Sequence, residues 1–292
     1  MGFWKSFFGG EEPNPEEEKK NAEAKNFDTL KYDGVRAMRI GQSDFAAKCF
    51  REALKINDDL ETRNYLLQVL IHTNRYDEAL AELKTLAEKY PENISIPLQA
   101  AHVAYLKEDY ALMSSLCEQA LALDSNHALA HHLMGQACLG QGDMVGGIAR
   151  LTKAIALDND FGDARLLRAQ TLLKMGDANG AQDDCDWLLA HTEEQEEVLL
   201  LAARLQHAKG NDDDATNTYN QIIELNPFQI DAYRERGKIR FDRGDKQGAE
   251  EDLQKVLELD PQALNSVSGE YEAEGIEQKV KQAYSFLNPF GL

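Results

Sequence analysis

The chain has 292 residues, 43% of them hydrophobic, with 31 Lys+Arg against 51 Asp+Glu and a formal charge of −20. So acidic a surface repels phosphate backbones and anionic lipid, which argues against any nucleic-acid partner. No stretch approaches 18 apolar residues, so no transmembrane helix is expected, and the four cysteines (Cys49, Cys117, Cys138, Cys185) form no C-x-x-C pair. They read as small buried hydrophobes in a reducing, cytoplasmic compartment.

Residues 1–8 are aromatic-rich, and Phe3, Trp4, Phe7 and Phe8 fall on one face if that segment is helical. Such a face is a candidate membrane contact. Each buried Phe contributes about 1.5–3 kcal/mol, but only Lys5 favours anionic lipid and glutamates follow at once, so the contact is weak. The segment is too short for a signal-peptide core. Residues 9–25, with Gly9-Gly10 and then a Glu/Pro/Lys run, read as a disordered acidic linker. From about Asn26 a helical period takes over and no β-alternation is long enough for a strand.

Along residues 26–261 the pattern repeats. Apolar stripes at i, i+4, i+7 and i+8 begin at Ala46, Ala79, Met113, Gly147, Ala181, Ala215 and Ala249. The first step is 33 residues and the others are 34, which makes seven units. A period of this length marks a repeated supersecondary unit. A Gly-Asp or Gly-Asn pair precedes four of the stripes, at Gly142, Gly176, Gly210 and Gly244, and Gly41 opens the first. Glycine there stops one helix before the next begins. Pro91, Pro227 and Pro261 punctuate the joints between units, and Gly34, Ala101, Gly135, Ala169, Ala203 and Gly237 are the small residues where paired helices cross. The second unit departs from this pattern: Leu67 takes the small position and Asn74-Arg75 the turn, so it is expected to be the least regular.

A helix pair of 34 residues with small crossing residues, a Gly-Asp turn and a terminal proline resembles the tetratricopeptide repeat (TPR) family. The seventh unit, from Ala232-Tyr233 through Gly237 and Gly244-Asp245 to Ala249 and Pro261, carries the likeness best. The resemblance implies an all-α fold, an α-solenoid of about seven repeats coiled as a right-handed superhelix, with first helices lining a concave groove. Residues 262–292 leave the repeat. Their amphipathic stretch from Glu274 to Tyr284 is expected to form a capping helix followed by a tail.

Six polar residues recur in register on the first helices: Gln68, His102, Gln136, Gln170, Arg204 and Lys238. Asn64 and His72 share a face with Gln68, Gln99 with His102, His132 with Gln136, Lys174 with Gln170, and Arg234 with Lys238. Amides and imidazoles carry donors and acceptors and suit an extended or helical partner segment. The last part of the groove gathers Arg204, Arg234 and Lys238, with Arg236, Arg240 and Arg243 near them. This basic pocket fits an acidic segment or a C-terminal carboxylate, in competition with pairing to Glu235, Asp242 and Asp245. The carboxylate-clamp residues by which some TPR co-chaperones hold a heat-shock protein's C-terminus do not occur in the matching slots.

His127, His131 and His132 form the one histidine cluster, without a carboxylate or cysteine at ligand spacing. Asp158-Asn159-Asp160-Phe161-Gly162 fails as a calcium loop, because the glycine stands one place early and the twelfth position is Ala169. No P-loop, G-x-S-x-G or Rossmann pattern is present. The expected function is a non-enzymatic interaction scaffold without cofactor or metal. The alternative is a peripheral membrane assembly factor anchored by its aromatic start.

Overall fold

A computed structural model describes residues 15–193 and 195–261. Among the described residues the chain forms fourteen helices and no strand. None is long and apolar enough to cross a membrane. The chain divides into two compact units between Ser125 and Asn126. The aromatic residues Phe3, Trp4, Phe7 and Phe8 and the expected capping helix lie outside the described residues.

The first unit holds three helix pairs: α1 (Pro15–Arg39) with α2 (Ser43–Ile56), α3 (Leu60–His72) with α4 (Tyr76–Lys89), and α5 (Ser95–Leu106) with α6 (Tyr110–Leu123). The second holds four: α7 (Ala128–Gly140) with α8 (Met144–Leu157), α9 (Gly162–Lys174) with α10 (Ala178–His191), α11 (Glu196–Ala208) with α12 (Asp212–Leu225), and α13 (Ile230–Asp242) with α14 (Lys246–Leu259). This is an α-solenoid of seven helix-turn-helix repeats. Within each unit every helix packs on the next in sequence. First helices also touch one another, α1 with α3 and α9 with α11, whereas no two second helices pack as closely among the described residues. The first-helix side is therefore the inside of the bend in each unit.

The helix α1 corrects the expected linker, since residues 15–25 are helical. Pro15 stands at the first position, where its fixed φ suits the helix and its missing N–H is not needed. Glu16 and Glu17 face the positive end of the helix dipole, Lys19 and Glu23 pair one turn apart at 4.0 Å, and Ala22 and Ala24 favour helix.

The first three positions of each second-helix stripe are core. Phe50, Leu83, Met113, Leu151, Cys185, Tyr219 and Leu253 stand at its second or leading position, and all are buried. At the crossing of α1 and α2 a Cβ on Gly34 would lie 2.5 Å from Phe50 Cε1, so only glycine permits this approach. Between α7 and α8 a Cβ on Gly135 would lie 2.9 Å from Leu151 Cγ. In the second repeat Leu67 fills that place, and α3 and α4 pack least closely of all the pairs.

The turns explain the recurring Gly-Asp. Gly142, Gly176 and Gly244 take φ of +83°, +82° and +83°. The aspartate that follows caps the next helix. Asp143 accepts the Gly146 N–H at 2.9 Å, Asp177 that of Gly180 at 2.8 Å and Asp245 that of Gly248 at 3.0 Å. Asn74 and Glu108 hold the left-handed position without being glycine, at φ 57° and 59°.

Candidate peptide-binding face

In the first unit the predicted polar residues emerge together. Asn64, Gln68 and His72 lie one turn apart on α3, Gln99 and His102 lie on α5, and all five are exposed. None of these side chains makes a hydrogen bond or ion pair within the described residues. Their neighbour Glu61 is spent: Lys31 Nζ donates to it at 2.6 Å and Tyr65 Oη at 3.0 Å. Lys31 also reaches Asp59 at 3.0 Å, so a single ammonium is shared by two carboxylates between α1 and α3. A patch of amides and imidazoles remains with donors and acceptors unused by the fold.

The second unit divides the predicted residues into three groups. Gln136 and Gln170 are half-buried and Lys174 is exposed, and these three are unpaired among the described residues. His132 is not on the surface: it is 6% exposed and its ring meets Phe161 at 4.9 Å, which corrects its placement as a groove contact. Phe161, in the connection between α8 and α9, packs over it. Burial pushes its imidazole pKa down, with Asp163 opposing the shift, so it serves as a neutral packing residue.

The basic residues form the third group, and each is matched. Arg204 grips Glu235 with two nitrogens, Nε at 2.9 Å and Nη2 at 2.6 Å, and lies 3.6 Å from Asp231. Tyr219 Oη donates to the same carboxylate at 2.7 Å. Burial works against the charge on Arg204, but Glu235 more than offsets it and holds the guanidinium pKa above its usual range. Tyr219 is pushed far up, first by burial and then by Glu235. Arg234 pairs with Asp231 at 2.6 Å and Lys238 with Asp242 at 2.7 Å. Behind them Arg236 and Arg240 both converge on buried Asp252, and Arg243 pairs with Asp213.

The match to Asp252 is itself periodic. Arg236 and Asp252 stand two repeats after Arg168 and Asp184, which form the same bridge at 2.7 Å. Asp184 is fully buried and also takes Arg165, whose guanidinium lies 4.6 Å from the Trp187 ring. These pairs join the two helices of a repeat and belong to its frame. Sequence inspection offered Glu235 as a competing partner of the basic residues but missed Tyr219 and Asp184. The 16-residue offset between arginine and aspartate, present twice in register, is the signal that reveals the Arg–Asp bridges.

Among the described residues no cluster of three His, Cys, Asp or Glu side chains offers a metal site. Cys185 is buried with its thiol pushed up to about 11, chiefly by burial, so it holds its proton as a packing residue.

Stacked helix hairpins with small crossing residues and an inner polar face define a repeat protein of the α-solenoid class. Profiles described as tetratricopeptide repeat match residues 34–94, 197–228 and 230–263. The chain is a tetratricopeptide repeat protein. Its fold is similar to that of a tetratricopeptide repeat protein from Parabacteroides merdae, with TM-score 0.64 and 15% identity, covering 89% of this chain and 99% of the other. It is also similar to PilW, a widely conserved type IV pilus biogenesis factor, with TM-score 0.62 and 19% identity over 69% of this chain and 93% of PilW. YrrB, a TPR protein with an unusual peptide-binding site, aligns with TM-score 0.53 and 18% identity over 63% of this chain and 95% of YrrB. At such identities the likeness is one of fold. No curated protein matches the sequence.

Proposed function

We propose that the protein is an interaction scaffold that holds an extended or helical segment of a partner protein against its first-helix faces. The observation that carries this reading is the set of unspent side chains on α3 and α5: Asn64, Gln68, His72, Gln99 and His102. Amides and imidazoles facing one side bond a peptide backbone through both its N–H and C=O groups. Gln136, Gln170 and Lys174 offer the same chemistry in the second unit. The neighbouring peptide-binding and pilus-biogenesis proteins are consistent with a scaffold role.

The test replaces Gln68 and His102 by a photo-crosslinking amino acid and maps the captured segment by mass spectrometry. A variant with Asn64, Gln68, Gln99 and His102 changed to Ala is run beside it. Because these side chains bond nothing among the described residues, the variant should melt as the wild type does while losing the partner. An unchanged partner set in that variant overturns the reading.

The basic end supports a narrower second reading. Asp231 and Asp242 are 42% and 47% exposed, and such surface pairs contribute only about 0–1 kcal/mol. An acidic ligand segment therefore takes Arg234 and Lys238 over at little cost. Arg204 stays with Glu235. Arg234→Glu with Lys238→Glu should weaken binding of an acidic-tailed peptide about tenfold or more, and unchanged affinity removes this reading.

A further inference from the structure

On the opposite side of the first unit, the seam between α4 and α6 opens into a cavity of about 350 Å³. Its floor is Leu83, Ile96, Pro97 and Ala100, and Ala87 and Leu116 form its walls. Leu83 and Ile96 are 1% and 5% exposed, so the floor is solid core and the opening is a pocket in it. The same seam recurs in the second unit, three repeats on, at Leu189, Val198, Leu199 and Gln221. There the space shrinks to about 260 Å³ and opens through Thr192 and Glu193. Leu189 stands in the register of Ala87 and Leu199 in that of Pro97, so the larger side chains account for the difference. The pocket of the first unit is thus the wider and drier of the two. It has the size and lining of a site for an aromatic side chain.

The chain carries a matching occupant. Phe3, Trp4, Phe7 and Phe8 precede α1, which begins at Pro15 in the same unit. From Trp4 to Pro15 an extended chain spans about 36 Å. The pocket lies about 20 Å away across two packed layers, and residues 15–25 of α1 add about 16 Å along the helix. The two legs together come to about 36 Å, which is the full span of the extended segment. Lys84 is exposed at the rim and makes no ion pair among the described residues, a charge complementary to the glutamates Glu11 and Glu12 that follow the aromatic run in the sequence. We propose that the segment bearing Phe3, Trp4, Phe7 and Phe8 inserts an aromatic side chain into the α4–α5–α6 pocket of its own chain.

Trp4 and Trp187 are the two tryptophans, so Trp187→Phe leaves Trp4 as the sole indole reporter in the full chain. The expected result is a blue-shifted Trp4 emission and several-fold slower acrylamide quenching than for a free indole, independent of protein concentration. Ala87→Arg should restore the emission and quenching of a free indole. Ala87→Leu, which the fold accommodates at position 189, should do so in part and covers the case in which the arginine variant fails to fold. Trp4 as exposed as a free indole in the parent overturns the proposal, as does protection indifferent to both Ala87 variants. Protection that grows with concentration assigns the site to a second copy and also overturns it. So does protection that appears only with phosphatidylcholine vesicles, which assigns the segment to a membrane.

Discussion

Changing Glu235 to Ala should unfasten the last two repeats while leaving the first unit intact. Glu235 is 5% exposed and accepts from Arg204 twice over and from Tyr219, which is fully buried. Removing the carboxylate strands a charge and a hydroxyl. Breaking a buried pair in this way costs about 3–5 kcal/mol. Arg204 is still 26% exposed and keeps Asp231 at 3.6 Å, so we place the loss at about 3 kcal/mol. Glu235→Gln keeps the shape and an acceptor for Tyr219, and should cost about 1–2 kcal/mol. Each repeat of a solenoid touches only its neighbours, so the effect stays local. Hydrogen exchange read by mass spectrometry separates the regions: peptides of α11–α14 should lose roughly a hundredfold protection while those of α3–α5 do not change. Equal loss in both units, or unchanged protection in α11–α14, refutes the assignment of Glu235 as the central acceptor. Arg204→Glu should behave like a folding mutation as well, because it sets two carboxylates together.

Three further outcomes are expected. Gly135→Leu forces a side chain into Leu151, whose Cγ lies 2.9 Å from the would-be Cβ; overpacking of about 1–3 kcal/mol should lower the far-UV melting midpoint, and an unchanged midpoint means the helix crossing lies elsewhere. Glu108→Gly relieves a left-handed residue at φ 59°; after glycine's own entropy cost the net gain is about 0.5–1 kcal/mol, seen as a higher urea midpoint. Glu78 is held at about 2, below its ordinary 4.5, first by its hydrogen bond to Arg75 and also by its bond to Arg51. A depressed carboxylate stabilises the fold above its unfolded pKa and loses that contribution as the pH falls through the folded one. The stability difference between wild type and Glu78→Gln should therefore be constant above pH 4.5, fade towards pH 2 and vanish below it; a difference that persists below pH 2 contradicts the pairing.

Most of the fold was legible because its determinants are local and recur. The turn glycines from Gly142 to Gly244, the stripe Ala215-Tyr219-Ile222 and the crossing residue Ala203 each act within one hairpin and return 34 residues on. The aspartate after the turn glycine was visible as a pattern, but its capping role needed the hydrogen bond from Gly146 to Asp143 to be seen. The start of α1 was hidden because a Glu/Lys/Ala run suits both a solvated helix and an unstructured tether. Of the candidate site, the α3 and α5 residues emerged as expected. His132 did not, because its periodicity shows which face it occupies but not that Phe161 closes over that face.

By itself, then, the sequence determined the repeat, its hairpin and the polar face of each first helix. All three follow from spacing along one chain. Tertiary structure alone decided which polar residues remain available. Arg204 and Gln68 hold the same place in the repeat, yet one is clamped by a glutamate 31 residues away and the other bonds nothing among the described residues. Pairing depends on what the next helix presents across a few ångströms, and no period along the chain encodes that distance.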